Sequence, residues 1–290
     1  MNCLIGIDIG TSGCKIIAID EHARILKSVT EQYPCYSPKA GWSEQDPEDW
    51  WKGVCSGLKK ITAGLAGSKI CAVGFSGQMH GMVALDESLQ VVRRAILWND
   101  QRTEKQCKEI TELAGGLDSL LPITNNRMLT GYTGGKILWM KENEPENYAK
   151  TKVILNPKDY IRFRLSGKIC TDVSDASGTG FFNVRERKWA SDLIEGAGID
   201  RHLFPQVAES TDITGSVTRE ASGQTGLPEG TPLAGGGGDA VISMVGLGLV
   251  KPGRIGITLG TSGVVAVNLP SFIHNPNGML QVFCGNEPGL

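Results

Sequence analysis

Apolar and polar positions along the chain alternate in a way that predicts short strands interspersed with amphipathic helices. Three early apolar runs with tight polar connections predict a meander of strands at Cys3–Ile9, Lys15–Asp20 and Ile25–Gln32. Further buried strands are predicted at Ile70–Phe75, Met82–Leu85 and Thr231–Ala234. The pattern therefore predicts an α/β protein.

The helix signals are clearest after Asp46, where an Asp cap, a proline at the first helical position and early acids favour a helix start. Apolar residues then recur at spacings of three and four, at Trp51, Val54, Leu58, Ile61 and Leu65. Other helices are predicted at Arg102–Ala114, Gly135–Asn143, Pro157–Ser166 and Ala240–Leu249. Thr171–Gly180 is predicted to be a polar loop whose acids make turns.

One strand-and-turn stretch occurs twice. Ile5–Gly13 reads IGIDIGTSG and Ile255–Gly263 reads IGITLGTSG, identical at seven of nine positions. A buried strand that ends in Gly-Thr-Ser-Gly presents backbone N–H groups and hydroxyls that suit phosphate oxygens. Two copies at opposite ends of the chain predict duplicated lobes that grip a polyphosphate between them. The candidate phosphate-binding residues are Gly10, Thr11, Ser12, Gly13 and Lys15 in the first copy and Thr258, Gly260, Thr261, Ser262 and Gly263 in the second.

The two copies differ at Asp8, which is replaced by Thr258 in the second. An acid within an apolar strand is costly unless it is paired, hydrogen-bonded or bound to a metal. One interpretation is a carboxylate that caps local amides. The other is a ligand of Mg²⁺ beside the phosphates, because hard cations prefer oxygen donors, and the duplicated loop favours this one.

Two polar clusters at strand ends predict a ligand pocket. Ser76–Gly81 (SGQMHG) forms a turn where α/β sheets bind ligands. Leu97–Arg102 (LWNDQR) combines an aromatic ring with Asn and Asp, which suits a sugar that stacks and hydrogen-bonds. Structural roles for Met79 and His80, and a capping role for Asp100, are the alternatives.

Four consecutive glycines, Gly235–Gly238, lead into Asp239. Such a run is retained where the backbone must bend or approach another group closely. Asp239 either caps the following helix or presents a carboxylate to a cleft between two lobes.

Composition narrows the class of protein. The 290 residues carry 29 basic and 31 acidic side chains, and no basic tract indicates nucleic-acid binding. No apolar run is long enough to cross a membrane, and the start of the chain lacks a basic signal-peptide region. Eight cysteines without a Cys-x-x-Cys pair predict a reducing cytoplasm and no structural zinc.

The strand followed by DIGTSG resembles the first phosphate motif of the FGGY carbohydrate kinases. Further motifs support this resemblance in the same order along the whole chain: Trp42–Asp46 (WSEQD), Ser76–Gly81, Leu97–Asp100 and Gly235–Asp239. It implies a ribonuclease H-like, actin-like ATPase fold, with a complete first lobe at about 1–240 and a second lobe only begun at 241–290. These motifs are most similar to the members that phosphorylate D-xylulose to D-xylulose 5-phosphate with ATP and Mg²⁺.

The same resemblance implies roles for individual residues. Asp239 is the catalytic base, and Asp8 is the second catalytic carboxylate, acting through Mg²⁺. The implied substrate-binding residues are Gln78, Met79, His80, Trp98, Asn99, Asp100 and Asp239. The expected partners are a ketose and ATP, with a possible homodimer.

Within the family, the second lobe is comparable in size to the first and supplies the adenine pocket. Only 22 residues follow Asn268, so we expect this chain to bind sugar weakly and phosphorylate it little. The alternatives are a non-catalytic sugar-binding half-protein, a family member acting on ribulose or glycerol, and an actin-like scaffold or chaperone ATPase. A dinucleotide-binding domain fits poorly, because the glycine spacing is not Gly-x-Gly-x-x-Gly.

Overall fold

A computed structural model describes residues 1–65, 67–259 and 263–288. The strands are β1 (Asn2–Ile9), β2 (Gly13–Asp20), β3 (Ile25–Gln32), β4 (Glu44–Gln45), β5 (Lys69–Gly77), β6 (Val83–Leu85), β7 (Ala95–Ile96), β8 (Val153–Leu155), β9 (Thr171–Asp172), β10 (Phe182–Asn183), β11 (Lys188–Trp189), β12 (Val207–Ala208), β13 (Ile213–Ser216), β14 (Pro232–Ala234), β15 (Gly237–Gly238), β16 (Ile255–Leu259) and β17 (Gly263–Val267). The helices are α1 (Pro47–Ala63), α2 (Glu104–Leu113), α3 (Leu117–Thr124), α4 (Thr133–Asn143), α5 (Pro145–Lys150), α6 (Pro157–Ser166), α7 (Val173–Ser177), α8 (Ser191–Gly196), α9 (Arg219–Thr225) and α10 (Asp239–Gly246), with a 3₁₀ turn at Arg201–Leu203.

The central sheet has the strand order β13-β14-β5-β1-β2-β3, and β15 also pairs with β5. The predicted meander is confirmed, since β1, β2 and β3 are antiparallel neighbours. β5 runs parallel to β1, and β15 runs parallel to β5, with Ile9, Gly77 and Gly238 in register. The residues that directly follow these three therefore lie side by side at one edge of the sheet.

The main core lies between the sheet and helices α1, α6 and α9. Alternate residues of β1 are buried, and α1 packs on β2 and β3 through the predicted apolar face. The predicted start of α1 is confirmed, because the Asp46 side chain accepts a hydrogen bond from the Glu48 N–H at 3.0 Å and Pro47 is the first helical residue. The start of α1 could therefore be predicted from residues close to it in the sequence.

The prediction of a polar loop at Thr171–Gly180 is wrong. The segment forms β9 and α7, and its side chains are buried. Asp172 accepts a hydrogen bond from the Ser174 N–H at 2.9 Å and caps α7. Acids can be buried here because the fully buried ammonium of Lys158 lies 2.8 Å from Asp172. That cation is distant in sequence, which is why the local pattern indicated a loop.

Other boundaries differ modestly from the predicted ones. α2 begins at Glu104 with Thr103 at its cap, so Asp100 does not cap it. α10 begins at Asp239, with Gly238 at its cap, and ends at Gly246 instead of Leu249. Among the described residues, no helix is long and apolar enough to cross a membrane.

The last part of the described chain has two different environments. Strands β16 and β17 form a separate two-stranded sheet with exposed apolar side chains, including Ile257 and Val265. The segment after them returns to the first part of the chain, where the Cys284 N–H donates to Ser177 Oγ at 3.0 Å. The boundary predicted near residue 240 remains a prediction.

Candidate active site

The Gly-Thr-Ser-Gly turn after β1 is held through its carbonyl groups. Tyr33 donates its hydroxyl proton to the Gly10 carbonyl at 2.5 Å, and Gln45 Nε2 donates to the Thr11 carbonyl at 2.7 Å. The Gly10 N–H donates to the Gly13 carbonyl at 3.1 Å, which closes the turn. Ser12 is left exposed at the sheet edge, where it is available to a ligand.

Asp8 lies on β1 between Lys15 of β2 and Ser76 of β5. Its Oδ1 atom is buried and has no hydrogen-bond partner among the described residues. A buried carboxylate oxygen without a donor is costly, and a bound cation or a ligand donor would stabilise it. Lys15 is exposed on the neighbouring strand, where its charge can also reach a phosphate.

These residues fit Mg²⁺ bound together with a phosphate. Mg²⁺ commonly uses only one or two protein carboxylates, with water and substrate phosphates completing its coordination. The described part of the chain contains no group of three or more His, Cys, Asp or Glu side chains arranged around a metal. A single carboxylate such as Asp8 suits an ion that water and phosphate oxygens also coordinate.

Asp239 directly follows β15, at the same sheet edge. Its Oδ1 atom accepts a hydrogen bond from the Ala240 N–H at 2.7 Å. The side chain reaches solvent, yet loss of water around the carboxyl raises its pKa to about 6, and the charge of Asp8 adds to this rise. A carboxylate with a pKa near neutrality is suited to accept a proton.

The four glycines before Asp239 allow close packing. A Cβ on Gly236, where φ is +79°, would lie 2.5 Å from the Phe75 carbonyl oxygen. A Cβ on Gly238 would lie 2.5 Å from Cγ of Met79, a side chain that is only 4% exposed. Met79 therefore packs against the backbone that leads into Asp239.

His80 is held in an unusual backbone conformation, with φ at +67°. Its carbonyl accepts hydrogen bonds from Lys136 Nζ at 2.7 Å and Thr133 Oγ1 at 3.1 Å. The ring stacks on Tyr132 with centroids 4.6 Å apart, and Nδ1 lies 2.6 Å from the Gly178 carbonyl oxygen. The backbone and the ring of His80 are thus both fixed.

The protonation of His80 follows from these contacts. Burial, followed by the charge of Lys136, lowers the pKa of the imidazole to about 3. Because a carbonyl oxygen only accepts, Nδ1 must carry the proton in the neutral ring. Nε2 is therefore an acceptor, which can receive a hydrogen bond from a substrate hydroxyl.

The Trp98-Asn99-Asp100 motif divides between surface and interior. Trp98 is 47% exposed, and its Nε1 donates to Thr11 Oγ1 at 3.0 Å, so the predicted sugar motif contacts the phosphate loop. Asn99 is exposed beside it. Asp100 is buried, and its carboxylate accepts hydrogen bonds from the Ser43 N–H at 2.7 Å and from Arg102. Its oxygens already have protein partners, which indicates a supporting position.

Gln45 is not among the predicted site residues, yet it connects the Gly-Thr-Ser-Gly loop after β1 to the Ser76–Gly81 turn. Its Oε1 accepts hydrogen bonds from Gln78 Nε2 and Trp50 Nε1, both at 3.0 Å. Gln78 Oε1 in turn accepts from Thr11 Oγ1 at 3.3 Å. Gln45 lies in the Trp42–Asp46 motif, which enters the sequence analysis only through the family resemblance. A single buried glutamine produces no periodic pattern that would mark it as a site residue.

The structure describes only part of the second Gly-Thr-Ser-Gly copy. Thr258 is exposed on β16, and Gly263 begins β17. Gly260, Thr261 and Ser262 lie outside the described residues. The phosphate-binding role of this copy remains a prediction.

The sheet order and the likeness to solved structures define an α/β protein of the actin-like ATPase fold, as the sequence predicted. Residues 3–246 match the FGGY family of carbohydrate kinases, N-terminal domain, and the chain belongs to that family.

Relatives agree with this assignment. The chain is 42% identical over 267 residues to a xylulose kinase of Bacillus subtilis, a match that covers 91% of the chain and 53% of the relative. A crystal structure of a xylulose kinase from Brucella ovis superposes with a TM-score of 0.92 at 34% identity, covering 98% of this chain and 58% of the other. A gluconate kinase from Lactobacillus acidophilus has a TM-score of 0.86 at 26% identity, covering 91% and 53%. The chain thus spans little more than half the length of the relatives it matches.

Proposed function

We propose that this chain provides the sugar-binding side and first phosphate loop of an ATP-dependent kinase that converts D-xylulose to D-xylulose 5-phosphate. The observation that supports it most is the pair of unlike carboxylates at one sheet edge. Among the described residues, Asp8 Oδ1 is buried and has no hydrogen-bond partner. Asp239 instead reaches solvent directly after β15, and its pKa is raised to about 6. The xylulose kinases among its relatives support the choice of D-xylulose.

In this proposal, Asp239 accepts the proton of the attacking sugar hydroxyl. His80 Nε2 accepts a hydrogen bond from another hydroxyl, and the exposed Trp98 indole packs against the apolar side of the sugar. Asn99 offers a further polar contact, while Gln78, Met79 and Asp100 support the pocket from the interior. These contacts orient the acceptor, and orientation supplies much of the acceleration of phosphoryl transfer.

Phosphate binding is assigned to the two Gly-Thr-Ser-Gly loops and Lys15. Asp8 would hold Mg²⁺, which when bound would supply positive charge to offset that of the transferring phosphate. The exposed Ser12 hydroxyl lies at the edge where that phosphate is expected.

We further propose a cytoplasmic location and a homodimeric assembly. All eight cysteines are free thiols, which supports a reducing compartment. Light scattering on the purified protein tests the dimer, and a single protomer mass would contradict it.

The function is tested by calorimetric sugar binding and by ADP release with D-xylulose, L-ribulose and glycerol. The 290-residue chain alone should release little ADP. In the protein at the length its gene encodes, we expect D-xylulose to give the highest kcat/KM. Asp239→Asn should leave sugar affinity nearly intact and lower kcat by about 10²–10⁴-fold, because it removes only the basic carboxylate. Asp8→Asn serves as the matched carboxylate variant and should raise the Mg²⁺ requirement.

The possible outcomes separate the alternatives. Preferred phosphorylation of glycerol would contradict the substrate but retain the kinase class. Sugar binding without ADP release from any ketose, in the protein at the length its gene encodes, would favour a sugar-binding protein. Rescue of Asp239→Asn by excess Mg²⁺, without rescue of Asp8→Asn, would show that the two carboxylates have the opposite roles.

A further inference from the structure

The buried segment Asp172–Gly178 contacts the two sides of the candidate site at its two ends. Near its start, Ser174 Oγ accepts a hydrogen bond from the Gly238 N–H at 3.2 Å, directly before Asp239. At its end, the Gly178 carbonyl lies 2.6 Å from His80 Nδ1. One short element thus contacts the segments that carry both the base and the sugar-binding histidine.

The direction of the Ser174 hydroxyl is fixed by its partners. Its single proton is donated to Asp172 Oδ2 at 2.6 Å, a short hydrogen bond to a carboxylate. Its oxygen accepts from the Gly238 N–H and from Asn286 Nδ2, the latter at 3.2 Å. A hydroxyl offers one donor and two acceptor positions, so all of its capacity is used and its acceptor side faces Gly238.

Asp172 is itself anchored by Lys158, whose Nζ lies 2.8 Å from Asp172 Oδ1 and 2.6 Å from Asp159 Oδ1. Burial alone would lower the pKa of Lys158, but the neighbouring carboxylates outweigh it and raise the pKa. Burial raises the pKa of Asp175 well above its ordinary value, which favours its neutral form. Arg162 also lies 3.5 Å from Asp159 Oδ1, so two buried cations contact this group of carboxylates.

We propose that Ser174 is a positioning residue for Asp239, which holds the Gly238 amide and thereby the backbone that presents the base. This inference rests on the proposed function. Glycine backbone is intrinsically permissive, and four glycines in succession need external contacts to keep one geometry. A displacement of about 1 Å in a reacting group costs on the order of 10²-fold in rate.

Ser210 offers a matched control. Its buried hydroxyl also donates to Asp172 Oδ2 at 2.6 Å and accepts from Asn286 Nδ2 at 3.0 Å. It has the same two side-chain partners as Ser174 but lacks the contact with the Gly238 N–H. Ser174→Ala and Ser210→Ala thus remove similar hydrogen bonds, and only the first releases Gly238.

The experiment compares both variants in the protein at the length its gene encodes. We expect similar losses of thermal stability in the two. Only Ser174→Ala should lower kcat, by roughly 10- to 100-fold with the sugar KM nearly unchanged, because the base is displaced while the sugar contacts remain. NMR should show the Gly238 amide and the Asp239 carboxyl carbon shifted in Ser174→Ala and unshifted in Ser210→Ala. If Ser174→Ala does not fold, Ser174→Cys keeps the buried volume and offers only a weak acceptor.

Equal kcat in the two variants, with the Gly238 amide shifted in Ser174→Ala, would overturn the positioning role. Unshifted Gly238 and Asp239 resonances in Ser174→Ala would also overturn it. The NMR readouts need no turnover, so they test the contact even if no ketose is phosphorylated. Absence of phosphorylation by the unmodified protein would count against the proposed function instead.

Discussion

Removal of the Asp8 charge should make Asp239 more acidic. The register places Asp8 two strands away from β15, and spacings of about 4.8 Å per strand and 3.3 Å per residue give a separation of roughly 10–12 Å. At that distance, two unit charges interact by about 0.4 kcal/mol in bulk water and about 1.5 kcal/mol at an effective dielectric constant of 20. These energies correspond to about 0.3 to 1.1 pH units.

The assay is a carbon-13 NMR titration of the Asp239 carboxyl in the unmodified protein and in Asp8→Asn. In the unmodified protein the titration midpoint of Asp239 should lie at about 6. In Asp8→Asn it should be lower, because Asp239 then ionises without a nearby negative charge. Asp192→Asn removes an exposed carboxylate on α8 and is the control for a change in net charge. An unchanged midpoint in Asp8→Asn, or an equal shift in Asp192→Asn, would refute the electrostatic coupling of the two carboxylates.

Three further substitutions test the surrounding structure. Lys158→Met should lower the free energy of unfolding in urea by about 3–5 kcal/mol, because it leaves buried carboxylates unpaired. The control Lys188→Met removes an exposed ion pair and should cost at most about 1 kcal/mol. Similar losses in the two variants would contradict the buried cluster. Gly238→Ala should lower the free energy of unfolding by about 1–3 kcal/mol, since its Cβ would lie 2.5 Å from the Met79 side chain. The control Gly223→Ala places its Cβ in open space on α9 and should be neutral or stabilising. If Gly238→Ala were equally well tolerated, the packing around β15 would be looser than described. His80→Ala should weaken D-xylulose binding in calorimetry by about 1–3 kcal/mol, and unchanged affinity would exclude His80 from the sugar pocket.

The strands and the first helix could be predicted because their signals are local. The alternation in β1 and the capping of α1 by Asp46 each involve residues within one element. The α7 segment could not be predicted, because its burial depends on Lys158, which precedes it on another helix. Polarity alone indicates exposure, and only a charge from elsewhere in the chain reverses that expectation.

The same distinction applies to the site. Sequence motifs identified which polar residues gather at the sheet edge, but they could not show which of their atoms remain free. Asp100 shares the motif of Trp98, yet its carboxylate is occupied by Ser43 and Arg102. His80 instead keeps Nε2 as an acceptor, because Gly178 takes its other nitrogen. Whether a side-chain atom is free to bind a ligand depends on its tertiary contacts, which the residue type alone does not reveal.

The positions of the two carboxylates explain why they should act differently although they share one edge. Asp8 lies within β1, between two neighbouring strands, and one of its oxygens is buried without a donor from the part of the chain that the structure describes. A buried oxygen suits a bound cation better than it suits proton exchange with substrate and water. Asp239 begins α10 beyond the end of β15, reaches solvent and accepts a hydrogen bond from the adjacent Ala240 amide through Oδ1. A carboxylate at a strand end can meet a substrate hydroxyl and release its proton afterwards, so the sheet geometry itself favours Asp239 as the base and Asp8 as the residue that holds the metal.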